Sequence, residues 1–103
     1  MVRKILVYWR DIPSQVIVQQ GRVREKAMLS ERFQSAIDRA AMRAGKGGSD
    51  AYIAEWRREA GTSDLPGSLD AIALAEARRI EADFTDERLD ALIRSHGKAP
   101  EES

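Results

Sequence analysis

The sequence holds few side chains able to do chemistry, and they form no recognisable catalytic set. His96 is the only histidine and cysteine is absent, which excludes imidazole pairs, thiolate zinc sites and cysteine nucleophiles. A histidine near a helix end is typical of a favourable contact with the helix dipole. Acidic residues cluster where another helix is predicted to start, namely Asp83, Asp86, Glu87 and Asp90. They are the ordinary response to that dipole, although paired carboxylates also bind cations or transfer protons. We therefore expect no enzyme activity, no metal and no cofactor.

Two segments have the composition of an anion-binding site. Residues 45–49 place glycines and Lys46 before a helix capped by Ser49, and helix starts attract anions. The spacing of a phosphate-binding loop is missing, so the segment also reads as a plain linker. Arg22, Arg24 and Lys26 alternate along a predicted strand and therefore project from one face. They form a candidate surface for nucleic acid, although alternating charge also protects an edge strand.

The charges balance overall but are segregated along the chain. There are 17 basic and 17 acidic residues in total. Residues 1–46 hold 10 basic and 4 acidic residues, a balance of +6, whereas residues 47–103 hold 7 and 13, a balance of −6. Such asymmetry indicates an anionic partner for the first half. It also fits two halves that face each other, or molecules that pair head to tail, and this second interpretation is the one we favour.

Two tryptophan–arginine segments are the most distinctive features of the sequence. Trp9-Arg10-Asp11 and Trp56-Arg57 supply candidates for a protein interface, because Trp and Arg dominate interface hot spots. Trp56 also fits a core position on a predicted helix. Tyr8 and Trp9 lie on opposite faces of a predicted strand, so we expect one ring to be buried and the other to be a contact residue.

The chain length fits one domain, which we place at residues 1–96, with a disordered polar tail at 97–103. The apolar run at residues 5–9 is too short for a signal peptide. No stretch reaches the roughly 20 apolar residues needed to cross a bilayer. The expected location is the cytoplasm, with no membrane contact.

Hydrophobic periodicity changes once along the chain, and the change predicts the fold class. Three strands are predicted first, at 4–10, 15–19 and 22–28, with Gly21 in a turn at positive φ. A helical period then begins at Ser30 and ends at Gly45. Further helices are predicted at 49–60, after Ser68 and after Thr85. This order predicts an α+β fold, in which three to four helices pack on one face of a small antiparallel meander of about three strands.

Three segments of the sequence resemble a small bacterial domain family described only as a virulence factor, after the conserved virulence factor C proteins. They are residues 8–16, residues 29–45 with the run Ala-Met-Arg-Ala-Gly, and residues 49–58. The resemblance covers residues 5 to 85 and transfers no catalytic residues. Stand-alone members of the family are often encoded beside folate and corrinoid one-carbon enzymes. The resemblance therefore implies an accessory protein in methyl-group metabolism.

The functional prediction combines these observations. We expect a non-catalytic interaction or accessory protein that binds a protein partner or a second copy of itself. One alternative is a nucleic-acid-binding regulator that uses the basic first half of the chain. Another is a small-ligand-binding protein or enzyme subunit that holds an anionic ligand with Lys46 and the helix start at Ser49.

Overall fold

Four strands and four helices make up residues 2–99, the part of the chain that the computed structural model describes. The strands are β1 (Val2–Trp9), β2 (Ile12–Gln20), β3 (Val23–Met28) and β4 (Trp56–Ser63). The helices are α1 (Glu31–Arg43), α2 (Ser49–Ala54), α3 (Leu69–Asp83) and α4 (Asp86–Arg94). The α+β class predicted from the sequence is confirmed, with one strand more than expected.

The sheet is antiparallel throughout, in the order β3-β2-β1-β4. The first three strands form the predicted meander, and β4 returns to pair with β1. Gly21 has a φ of +62° in the turn between β2 and β3, as predicted. Val7 pairs with Gln15 and Tyr8 with Pro13, so Ser14 is the extra residue of a β-bulge. The bulge increases the local twist where β1 and β2 reach their turn.

The prediction of one helix over residues 49–60 is wrong. Helix α2 ends at Ala54, and the chain enters β4 two residues later. Ile53, expected on the buried stripe of that helix, is 64% exposed. Without β4, one side of β1 would leave its backbone N–H and C=O groups unpaired, and pairing satisfies them. This tertiary requirement overrides the weak helical spacing of the segment.

Helices α1 and α3 pack on one face of the sheet, α4 packs against α1, and together they enclose the hydrophobic core. The core joins Val16 and Val18 of β2 to Phe33 and Ile37 of α1. Helix α3 adds Ile72, Ala73 and Ala77, and α4 adds Leu89 and Leu92. The predicted N-caps Ser30, Ser68 and Thr85 are confirmed. Ser49 is instead the first residue of α2, and Gly48 occupies the cap position.

A carboxylate of α3 holds the start of α1. Glu81 Oε2 accepts a hydrogen bond from the backbone N–H of Ser30 at 2.6 Å, and Oε1 accepts one from the Ser30 hydroxyl at 2.9 Å. Arg32 adds an ion pair at 3.1 Å. Partial burial raises the pKa of Glu81, but these bonds to its ionised form outweigh burial and hold the pKa below its ordinary value. Glu81 therefore binds the backbone N–H of the N-cap residue, which is the role of the N3 carboxylate in a capping box.

A second ion pair lies between α3 and the sheet. Glu76 is 3% exposed, and its Oε2 lies 3.6 Å from Lys4 Nζ. Arg79 Nη1 lies 3.6 Å from the other oxygen. Glu76 Oε2 has no hydrogen-bond partner among the described residues, so the attraction of Lys4 and Arg79 offsets the burial of its charge.

The chain after α4 is ordered as far as the structure describes it. Gly97 is buried, and its carbonyl accepts a hydrogen bond from the Asp11 N–H at 2.8 Å. Residues 97–99 thus contact the rest of the domain, residues 100–103 lie outside the described part, and the disordered tail stays a prediction. Between residues 2 and 99, no helix has the length and apolarity required to cross a bilayer.

Candidate interaction site

The two tryptophan–arginine segments meet at one end of the sheet. In the β1–β4 pairing, Trp9 lies opposite Trp56, and Tyr8 lies opposite Arg57. We call this region, residues 8–11 with 55–59, the tryptophan–arginine corner. Segments nearly 50 positions apart thus form one structure, because the segment predicted as a helix is a strand.

Trp9 is a core residue of the corner. Its side chain is 0% exposed, and its Nε1 donates a hydrogen bond to the Tyr52 carbonyl at 2.9 Å. The Trp9 and Tyr52 rings stack with centroids 5.9 Å apart. A Cβ added at Gly97 would lie 2.9 Å from Trp9 Cζ3. The prediction of Trp9 as a contact residue therefore fails in this conformation, because α2 and the chain after α4 cover the ring.

Arg10 joins three parts of the chain. It occupies the β1–β2 turn at a φ of +52°. Its Nε donates to Glu55 Oε2 at 2.8 Å, and its Nη1 donates to the His96 carbonyl at 2.8 Å. Its side chain is only 10% exposed. The guanidinium is thus held by the protein's own groups, and its first role is structural.

Arg57 and Asp11 form the outer layer of the corner. Arg57 Nε donates to the Arg10 carbonyl at 2.7 Å, and its Nη2 lies 3.0 Å from Asp11 Oδ1. A further ion pair joins Arg57 to Glu59. The Arg57 guanidinium stacks 4.4 Å from the Tyr8 ring centroid. Tyr8 is therefore half-buried rather than the freely exposed partner of Trp9 that the alternation predicts.

These contacts shift two pKa values in the corner. Burial and the negative charge of Glu59 raise the pKa of the Tyr8 phenol, although Arg57 acts in the opposite direction. Burial lowers the pKa of Arg57, but the hydrogen bonds to Glu59 and Asp11 outweigh it and raise that pKa overall. Both shifts stabilise the proton that Tyr8 and Arg57 already carry at neutral pH.

The side of the sheet away from the helices carries a second feature, which we call the open face. Directly opposed residues of paired strands share a face, and the register sets three rows of side chains across four strands. The rows are Met28-Gln15-Val7-Arg58, Lys26-Ile17-Ile5-Ala60 and Arg24-Gln19-Arg3-Thr62. Ile5 and Val7 are 5% and 9% exposed, yet neither belongs to the helix-side core. A separate apolar strip therefore runs through the centre of the open face.

Cations surround this strip. Arg3, Arg24, Lys26 and Arg58 are all exposed, and none of the twelve residues of the three rows is acidic. Glu25 points to the other face by its pairing with Val18, although it borders the same surface at the sheet edge. The open face thus combines an apolar centre with a basic rim, the usual arrangement of a protein interface.

The open face is concave in two places. A shallow depression of about 530 Å³ is lined by Gln15, Ile17, Arg24, Glu25, Lys26 and Arg58. A neighbouring one of about 340 Å³ reaches Trp56 and Arg57 of the corner. Gln15 borders both, and its Oε1 has no hydrogen-bond partner among residues 2–99. The two depressions connect the open face to the half-buried Trp56, so the open face and Trp56 belong to one continuous surface.

The anion-binding residues predicted from the sequence separate into two groups. Arg24 and Lys26 lie on the open face, and Arg22 lies in the turn before β3. Lys46 lies in the loop between α1 and α2, and Ser49 begins a helix of six residues. The structure therefore does not join Lys46 and Ser49 to the basic rim of the sheet.

Arg58 is the functional candidate that sequence reasoning missed. It lies in the segment predicted as a helix, and no local pattern in residues 56–63 indicates a strand. Arg3 belongs to the rim as well, but only the pairing register places it beside Arg24.

The described residues contain no cluster of three or more His, Asp or Glu side chains able to hold a metal ion. A comparison with protein families matches residues 7–93 to the family described as virulence factor. Comparisons with curated proteins and with solved structures give no match. The matched range includes the corner and most of the open face.

Proposed function

We propose that this chain, which belongs to the virulence factor domain family, is a non-catalytic module that binds a protein partner on the open face of its sheet. The observation that carries the proposal is the set of four exposed cations, Arg3, Arg24, Lys26 and Arg58, around an apolar strip in which Ile5 and Val7 are buried and Ile17 is partly exposed. Such a surface matches a partner that presents apolar side chains within an acidic rim.

The corner supports the proposal by placing Trp56 and Arg57 next to the open face. Trp56 is half-buried, and the Arg57 side chain is 38% exposed. Both border the second depression, so a partner seated on the strip would also meet them. Trp9, Arg10 and Asp11 would then act indirectly, because their contacts hold β4 in place.

The partner is proposed from the family resemblance as a folate or corrinoid one-carbon enzyme, which this chain would serve as an accessory protein in the cytoplasm. The non-catalytic part of the proposal is supported by the corner, where the charged groups pair with one another. A second copy of the chain is the other candidate partner.

The basic rim also favours a second function, the binding of nucleic acid. Four exposed cations would attract a phosphate backbone. Single-stranded nucleic acid, however, binds sheets chiefly by stacking successive bases on several aromatic residues, and the aromatic residue that borders the second depression is the half-buried Trp56. The burial of this ring favours protein over nucleic acid as the partner.

The test is a tagged pull-down at moderate salt with one matched pair of variants. Arg24→Glu with Arg58→Glu reverses two charges of the open face. Arg43→Glu with Arg78→Glu makes the same change in net charge on exposed helix positions. We expect a stoichiometric protein partner with the wild type and the helix variant, and its loss with the open-face variant.

Other outcomes lead to different conclusions. A partner that all three proteins capture equally would remove the open face from the proposal. Nucleic acid without a protein, recognised by its 260/280 absorbance ratio and by affinity that falls steeply with salt, would establish the second function.

A further inference from the structure

Strand β4 forms a sheet edge that nothing in the described chain covers. The opposite edge strand, β3, packs against α3, whereas β4 packs extensively only against β1. Residues 58–62 are all exposed. An edge strand offers a row of unpaired N–H and C=O groups, which proteins usually block with charges or cover with another element. Both edge strands carry three successive charged residues, at 24–26 in β3 and at 57–59 in β4, but residues 60–62 of β4 carry no charge.

We propose that β4 pairs antiparallel with β4 of a second copy of this chain, about a two-fold axis that passes beside Ala60. The contact uses the edge of the sheet and not its open face, so it stands apart from the proposed function. A two-fold axis perpendicular to a continuous sheet keeps each face on its own side. Only residues whose side chains lie on the same face can therefore lie opposite each other. Because side chains alternate between the two faces, the axis must pass beside a residue of β4 and not between two residues.

Charge and length select among the remaining registers. An axis at Glu59 would place Glu59 opposite its own copy, and an axis at Arg58 would do the same with two arginines, each a destabilising like-charge pair. An axis at Gly61 pairs only residues 59–63 of the strand. An axis at Ala60 pairs residues 57–63, with Arg58 opposite Thr62 and Glu59 opposite Gly61. It gives the longest pairing in which no like charges are directly opposed.

The central residues also allow the strands to approach closely. Ala60 would face Ala60 of the second copy, flanked by Gly61, so no large side chain interrupts the ladder. The same small residues leave the edge flat, and flat edges favour pairing. The product is a closed, self-complementary dimer whose two open faces lie on the same side of one eight-stranded sheet.

The first test uses the absence of cysteine from the chain. Directly opposed residues of antiparallel strands have Cα atoms about 4.5–5.5 Å apart, within the disulfide range of roughly 4.4–6.8 Å. Ala60→Cys should therefore form a disulfide-linked dimer rapidly under mild oxidation. Val23→Cys, exposed on the β3 edge, is the control and should cross-link only at the rate of random collision. Equal rates for the two variants would overturn the proposal.

The second test measures mass by size exclusion with light scattering. The wild type should elute at twice the monomer mass of 11.5 kDa. Ala60→Lys and Ala60→Glu should each be monomeric, because each places like charges on the axis. A mixture of the two should recover the dimer mass, because Lys then faces Glu. Val23→Lys should remain dimeric, and thermal melts should show that each monomeric variant is folded.

Three results would contradict self-pairing. The first is a wild type that stays monomeric up to about 1 mM, where even a millimolar dissociation constant would populate the dimer. The second is a dimer that persists in Ala60→Lys. The third is a mixture of Ala60→Lys and Ala60→Glu that stays monomeric. A monomeric wild type that loses its protein partner on Ala60→Lys would instead assign the edge to a strand of that partner.

Discussion

The substitution Gly97→Ala tests the packing of the tryptophan–arginine corner most directly. Gly97 has a φ of +86°, and a Cβ there would lie 2.9 Å from Trp9 Cζ3 and 3.2 Å from Cε3. Trp9 cannot move away easily, since its ring is fully buried and stacked on Tyr52. Two separate penalties are therefore expected, one from the backbone and one from the clash.

The backbone penalty and the clash penalty can be measured separately by substituting other glycines of the chain. A left-handed conformation costs an L-residue about 1–2 kcal/mol, and overpacking a filled site costs roughly 1–3 kcal/mol. Gly97→Ala should therefore lower the free energy of unfolding by about 2–5 kcal/mol. Gly21 has a φ of +62° with no atom within 4 Å of an added Cβ, so Gly21→Ala should show the backbone penalty alone. Gly47 has open space and no positive φ, and Gly47→Ala should be neutral, or stabilising by up to about 1 kcal/mol.

Urea unfolding followed by tryptophan fluorescence would measure all three variants on one scale. For a domain of this size, each 1 kcal/mol corresponds to about 4–8 °C in Tm, so thermal melts give an independent check. If Gly97→Ala matches Gly21→Ala within about 0.5 kcal/mol, which is the usual limit of additivity, the Trp9 ring is not packed against Gly97 and the description of the corner is wrong.

Two ion pairs and the open face give the remaining predictions. Glu81→Gln should cost roughly 1–2 kcal/mol at pH 7 through its lost bonds to Ser30. The pKa of folded Glu81 lies below its ordinary value of 4.5, so the stability advantage of the wild type should disappear as the pH falls below this value. A difference in the free energy of unfolding between wild type and variant that stays constant down to pH 2 in urea titrations would contradict this prediction. Lys4→Met should destabilise the fold by about 2–3 kcal/mol, because it leaves Glu76 buried with only Arg79 nearby. Adding Glu76→Leu should restore at least the wild-type stability. A double variant that is less stable than Lys4→Met alone would refute this account. Partner affinity should fall with salt to the same extent in the wild type and in the helix variant Arg43→Glu with Arg78→Glu, as measured by titration calorimetry.

The sequence predicted most elements of the fold because local signals and tertiary structure agree there. Alternation identified β1, β2 and β3, and the caps at Ser30, Ser68 and Thr85 located the starts of three helices. Segment 49–60 is the exception. Its apolar residues satisfy a helical period, but Arg57–Ser63 contains almost no apolar side chain that a helix could bury. The demand of β1 for a second partner strand decided its conformation, and no local pattern contains that information.

The candidate site was harder to predict than the fold, because a sheet face depends on register. Arg24 and Lys26 were placed correctly on one face by alternation along a single strand. Their neighbours Arg3 and Arg58 come from β1 and β4, and only the pairing shows that all four cations surround Ile5 and Ile17. Trp9 was misjudged for a related reason: at the end of β1, next to the bulge, α2 and Gly97 cover its ring.

The corner and the open face depend on each other, and this affects how variants of the corner must be interpreted. Arg10 and Trp9 bind Glu55 and Tyr52, the residues through which the chain passes from α2 into β4. Losing either contact would loosen the start of β4 and displace Arg58 from the rim and Ala60 from the free edge. A binding defect in Trp9→Ala or Arg10→Ala therefore would not show that these residues touch a partner. Exposed positions such as Arg24, Arg58 and Ala60 can separate a direct contact from a change in the fold, because their side chains take no part in the core.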